Sequence, residues 1–186
     1  MTHKDVRRVV TGHDADGKAV FVSDGVVAPY VPAFAPNSSF HQLWSFDEAP
    51  HFPDDGSQQE RTRYFPGVGG FRFNFFTLPP DDDNAIPDGV DLGAAFAELQ
   101  ATLPGMTDHM EADEPGMHTT ATLDIEVVLS GTPVLELDDG AMVTLHPGDT
   151  VVQNGTRHRW SNPGTEPATL AVVLVGAHHR DVHIEG

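Results

Sequence analysis

Residues 116–162 read GMHTTATLDIEVVLSGTPVLELDDGAMVTLHPGDTVVQNGTRHRWSN, and this stretch decides the fold. Side chains on one face of a strand recur at every second position. His118, Thr120, Thr122, Asp124 and Glu126 share one parity, while Leu123, Ile125, Val127 and Leu129 take the other. Read as one uninterrupted strand, the segment lines a single face with a histidine and two carboxylates. Ser130-Gly131 closes it. Residues 134–137 and 142–145 flank Asp138-Asp139-Gly140, which is the turn signal of a β-hairpin. Pro147-Gly148-Asp149 turns into a short strand at Thr150-Val151-Val152. Asn154-Gly155 turns again and delivers His158 and Trp160 on one parity of a further strand.

In this order the residues resemble the two signature motifs of the cupin superfamily. The first motif reads, in outline, His, any residue, His, three or four residues, Glu, six residues, Gly. Gly131 fills its end, Asp124 stands at the Glu position, His118 at the first His and Thr120 at the second. The second motif runs from a Gly through Pro-x-Gly to a His and an Asn. Gly148, Gly155, His158 and Asn162 fit it, with Gln153 in the Pro position and one residue fewer before it. The 16 residues between Gly131 and Gly148 are a usual gap for the family.

The resemblance implies an all-β jelly-roll barrel whose alternate side chains fill the interior. It implies one domain over 1–186: a strand extension at 1–80, a loop and one short helix at 81–110, and the barrel core at 111–186. Such extensions commonly build a homodimer. It also implies a divalent transition metal (Fe, Mn, Ni or Zn) on His118, Asp124 and His158. Two imidazoles and one carboxylate hold such an ion facially and leave positions open. Glu126 is then a fourth ligand or a base, Thr120 stands where the family has a ligand, and Trp160 closes the pocket wall beside Gln153. Glu126, Thr120 and Trp160 form the candidate catalytic set. The function implied is a metal-binding enzyme acting on a small oxygenated or carboxylated metabolite, of lyase, isomerase or dioxygenase type.

Two alternatives stand beside it. Alternate positions on a strand lie ~6.5–7 Å apart, close enough for two buried carboxylates to interact. Proximity and burial raise a carboxyl pKa and make a proton donor near neutral pH. Asp124 and Glu126 therefore support a metal-free acid–base enzyme, with Glu126 and His158 moving the proton. The other alternative is a small-ligand binder without turnover.

Composition narrows the partners. Among 186 residues, 28 acids against 10 Lys and Arg give a formal net charge of −18. Nucleic acid and anionic membrane both need a basic face, so neither is an expected partner, and a small molecule is. There is no cysteine, which removes disulfides, thiolate metal sites and a Cys nucleophile. The opening MTHKDVRRVV lacks the apolar core of a signal peptide, and the longest apolar run, 170–175, is too short to span a bilayer. The expected location is cytoplasmic.

The rest of the chain reads as strands with one helix. Strands are expected at 7–11, 19–23 and 40–46 and, as a core strand, at 71–76, where Phe71, Phe73 and Phe75 share a face. Asp81-Asp82-Asp83 reads as a solvated turn. Leu92, Ala95, Phe96, Leu99 and Leu103 recur at helical spacing over 91–103; Asp88 or Asp91 caps the start and Pro104-Gly105 stops it. Arg61 and Arg72 are candidates for a surface salt bridge or a substrate carboxylate. Residues 168–175 form an apolar strand buried on both faces, and the tail carries His178, His179 and His183.

Overall fold

The computed structural model describes residues 5–182, so His183 lies outside them. Its largest element is an antiparallel sheet in the order β3-β4-β10-β5-β8, formed by β3 (Ser39–Phe46), β4 (Phe71–Leu78), β10 (Ala168–Gly176), β5 (Thr122–Ser130) and β8 (Thr150–Asn154). A second sheet, in the order β7-β6-β9, is made by β6 (Val134–Glu136), β7 (Met142–Thr144) and β9 (Arg159–Ser161). Val128 and Leu170 from the first sheet pack on Leu135 from the second, with Leu145 and the half-buried Trp160 completing the contact. This is the jelly-roll arrangement expected from 116–162, with the hairpin at Asp138–Gly140 in place.

The N-terminal half extends the sheets as expected. β3 and β4 lengthen the main sheet beyond β10, while β1 (Val6–His13) and β2 (Ala19–Val27) form a separate two-stranded ribbon. Asp14 closes that ribbon's turn by accepting hydrogen bonds from the Asp16 and Lys18 amides.

The helix α1 (Leu92–Thr102) starts where Asp91 accepts a hydrogen bond from the Ala94 amide, and it ends before Pro104. Its Leu99, with Leu103 just past its end, packs on Phe40, Tyr64, Phe65 and Leu174 and closes one end of the barrel. Two of the five expected stripe residues, Leu92 and Phe96, are exposed; Phe96 stacks on Phe34 with ring centroids 5.2 Å apart.

The 71–76 strand corrects the sequence reading. Its most buried side chains are Arg72 and Asn74, and Phe71, Phe73 and Phe75 are half-buried on the opposite face. Alternation shows that a strand has two faces and leaves open which one turns inward. Arg72 is no surface residue: its guanidinium donates to the carbonyls of Phe46, Arg63 and Phe71 and to Asp47. Those carbonyls supply acceptors that make its burial tolerable.

The motif residues at the barrel rim act structurally. Asn162, fully buried, donates to the Leu78 and Glu166 carbonyls and accepts from the Gly164 amide. Its backbone amide donates to Asp81, so the first Asp of the exposed triplet is also a tie between segments. Gly131 has φ +76°, and a Cβ there would lie 2.5 Å from Ala168 Cα. Only glycine fits that turn. No helix among the described residues is long and apolar enough to cross a membrane.

Candidate functional site

The barrel encloses a cavity of about 400 Å3. Asp124, Glu126, His118 and His158 line its ionisable end, and mostly aromatic and aliphatic side chains, with Ser38, Asn84 and Thr107, line the rest. Asp124 and Glu126 come from β5, whose alternation turns Thr122, Asp124, Glu126 and Val128 inward as the sequence indicated. On the neighbouring strands Glu126 lies between Val172 of β10 and Val151 of β8; Asp124 lies between Leu174 and Gln153.

This environment sets the charge of the pair. Both carboxyls are 3–4% exposed, and Asp124 Oδ1 and Glu126 Oε2 have no hydrogen-bond partner within the protein. Burial, reinforced by the neighbouring Asp124, pushes Glu126 up to about 8. Burial also raises Asp124, to about 6, because the hydrogen bond from the Thr122 hydroxyl offsets part of the desolvation. At neutral pH the pair holds one proton, and Glu126 is its preferred carrier.

His118 does not belong to β5. The ladder begins at Thr122, and His118 sits in an isolated bridge between Met110 and His158. His118 and His158 exchange backbone hydrogen bonds of 2.9 Å each, which brings their ring centroids to 4.1 Å. Each ring places Nδ1 against the carbonyl two residues earlier: Gly116 at 3.0 Å and Thr156 at 2.9 Å. A carbonyl only accepts, so both Nδ1 atoms carry the proton and both Nε2 atoms keep a lone pair. Gln153 abuts the His158 Nδ1. Turned with its oxygen toward the ring, the amide accepts the same proton and gives the buried Gln153 Oε1 a partner. Burial and the neighbouring His118 hold His158 down to about 4, and burial also lowers His118. Both imidazoles are neutral at pH 7.

The remaining expected residues divide. Trp160 lines the cavity and packs on the inter-sheet core. Thr120 is buried beneath the site, with its hydroxyl 2.8 Å from that of Thr122, and does not line the cavity. It reaches Asp124 only through Thr122. Arg157 and Arg159, on either side of His158 in sequence, form ion pairs at the surface. Arg157 holds Glu111 through two 2.7 Å bonds and also contacts Glu114 and Asp138, which pins the loop before His118; Arg159 holds Glu136.

Sequence reasoning missed much of the cavity wall. Tyr64 and Phe65 come from a polar, aperiodic stretch and are anchored by the Tyr64 amide donating to the Pro104 carbonyl. Phe34, Met106 and Met110 come from segments with no repeating pattern at all.

The donors present suit a divalent metal in kind: two imidazoles with free Nε2 lone pairs and two carboxyls with unpartnered oxygens. They do not suit one in placement. Among the described residues no three His, Asp or Glu side chains are grouped closely enough to hold an ion.

Comparison with known proteins places these observations. A family model described as Cupin domain matches residues 108–175, which hold His118, Asp124, Glu126, His158 and Trp160. The cupin-domain-containing oxidoreductase fogC of Aspergillus ruber is 26% identical over 185 residues, spanning 97% of this chain and 76% of its own. Phomopsin biosynthesis cluster protein C' of Diaporthe leptostromiformis is 28% identical, spanning 96% of this chain and 82% of its own. The solved cupin 2 conserved barrel domain protein of Salinispora arenicola aligns with 77% of this chain and 80% of its own, at 19% identity and a TM-score of 0.40.

Proposed function

We propose that the chain, whose residues 108–175 match a family model described as Cupin domain, is a cupin enzyme that moves a proton on a small molecule held in the barrel. One observation carries this reading: Asp124 and Glu126 lie on alternate positions of β5, face the cavity, and have buried oxygens without a protein partner. Two carboxyls pushed to different pKa values supply an acid and a base at one pH. Asp124, ionised at neutral pH, removes a proton from a carbon beside a carbonyl. The C–H electrons form a C=C bond while the carbonyl π pair takes the Glu126 proton as O–H. Glu126 then takes back the enol proton as the carbonyl reforms, and Asp124 delivers its proton either to the γ-carbon of a dienol, which completes an isomerisation, or to a β-hydroxyl that leaves as water, which completes a dehydration. The His118 and His158 lone pairs accept hydrogen bonds from substrate hydroxyls. The relatives named for a biosynthesis cluster and an oxidoreductase support a small-molecule enzyme.

The test is hydrogen–deuterium exchange at carbon. Uncharged cyclic ketones incubated in D2O with the protein and EDTA are followed by NMR. Proton transfer by a positioned side chain contributes about 10²–10⁴-fold. Glu126→Gln and Asp124→Asn should each lose at least about 100-fold of the enzymatic exchange. Exchange no faster than buffer across the panel, or equal in the variants, rejects the reading.

A second reading is favoured by the tautomers. Imidazoles whose Nδ1 is tied to a carbonyl and whose Nε2 is free are oriented as metal ligands are. Activity lost on EDTA treatment and restored by one divalent metal, with that metal lost in His118→Ala and His158→Ala, selects a metal-dependent cupin enzyme instead. The homodimer implied by the N-terminal extension is likewise a proposal, checked by sedimentation equilibrium.

A further inference from the structure

We infer that the cavity takes an uncharged, largely apolar molecule bearing a hydroxyl, and discriminates against carboxylated ones. This rests on the proposed function for where the molecule reacts, although binding alone reads it.

No Lys or Arg side chain lines the cavity among the described residues. Arg61, Arg72, Arg157 and Arg159 all lie outside that lining. Arg72 spends its guanidinium on three carbonyls and Asp47. Arg61 donates from Nη2 to Asn74 Oδ1 at 3.2 Å, while its buried Nη1 has no hydrogen-bond partner and does not line the cavity. Arg157 and Arg159 are paired with surface acids. A substrate carboxylate reaching the ionisable end would meet two imidazoles whose Nδ1 protons are committed to carbonyls, and two carboxyls. There it would face Asp124 Oδ1 and Glu126 Oε2, buried oxygens that already lack a hydrogen-bond partner.

A hydroxyl has the opposite fit. Asp124 Oδ1 and Glu126 Oε2 are buried acceptors without partners, and the two Nε2 atoms are acceptors too. An O–H group supplies the donor that this set lacks, and satisfying a buried polar group that is otherwise orphaned discriminates strongly. The body of the molecule would lie along Phe40, Phe65, Phe76, Trp160, Val172 and Leu174. At about 400 Å3 the space suits a small-molecule skeleton.

Calorimetry at pH 7 with 2-naphthol, 2-naphthoate and 2-naphthylmethylammonium tests the inference on the full chain. The three probes share one apolar body and differ at the polar group. The expected result is 2-naphthol binding at least tenfold more tightly than 2-naphthoate. In the amide variant Asp124→Asn with Glu126→Gln, shown folded by circular dichroism, the ratio should fall below threefold. Naphthoate binding as tightly as naphthol in the wild type overturns the inference, whether or not the variant folds. So does tighter binding of the ammonium probe, or no naphthol binding at 1 mM. A naphthol preference without any deuterium exchange would reject the proposed reaction and leave this selectivity standing; exchange confined to carboxylated ketones would do the reverse.

Discussion

Glu126→Gln removes an ionisable group while keeping its shape, and its effect on stability must depend on pH. In the folded chain Glu126 titrates near 8 rather than at the ordinary glutamate value of 4.5, because burial, and then Asp124, oppose its charge. A folded-state pKa above the unfolded one means the native carboxyl keeps its proton while the unfolded chain releases it. The associated stability is fully present below pH 4.5 and is lost as pH rises toward 8. At about 1.4 kcal/mol per pH unit, the window from 4.5 to about 8 sets a ceiling of roughly 5 kcal/mol. Water entering the open cavity relieves part of this, so about 3 kcal/mol is expected. Urea unfolding in EDTA should therefore find the variant within about 1 kcal/mol of wild type at pH 5 and more stable by about 3 kcal/mol at pH 9. A difference that stays flat between pH 5 and 9 would show that Glu126 ionises like a solvated glutamate. The acid–base reading would then lose its proton donor.

Asn162→Ala strips three hydrogen bonds from a fully buried position and orphans the Leu78 and Glu166 carbonyls, so its urea midpoint should fall by about 3 kcal/mol equivalent; under 1 kcal/mol would mean water replaces them. Gly131→Ala combines a left-handed backbone with a Cβ 2.5 Å from Ala168 Cα and should lose more than about 2 kcal/mol by the same measurement; a neutral result would mean the turn can rearrange. Arg157→Gln breaks partly exposed pairs and should change global stability by less than about 1 kcal/mol, yet amides of residues 105–116 should exchange faster because Glu111 and Glu114 are released; unchanged exchange there would place the loop's hold elsewhere.

How much of this was legible depends on how local the signal is. Turn chemistry and period-2 alternation act within a few residues, and they located the Asp138–Gly140 hairpin and grouped Asp124 with Glu126 on one face of β5, while the family resemblance supplied which face turns inward. Helical spacing with a capping Asp located α1 just as well. The errors arise where the outcome depends on a distant partner. Phe96 belongs to the apolar stripe by spacing, but its contact is Phe34, on a proline-rich segment without periodicity. Arg72 reads as a surface cation until Phe46, Arg63 and Asp47 are seen to surround it.

The site shows the same division in its chemistry. Parity along 118–126 put His118 on the same face as Asp124 and Glu126, and the cavity does gather all three, but by a different route. His118 leaves the ladder and pairs with Met110 and His158, so its position is set by two other segments rather than by β5. That detour decides what the site can do. A histidine on β5 would stand in register with Asp124, within its strand. Bridged to His158 instead, its ring lies 4.1 Å from a second imidazole and adds to the burial that keeps His158 uncharged. The acids then carry the titration near neutral pH while the imidazoles serve as fixed acceptors, an inversion of the usual roles of the two residue types. Residue identity alone would have assigned the proton to histidine; burial and Asp124 keep it on Glu126, while burial and the bridged His118 keep it off His158.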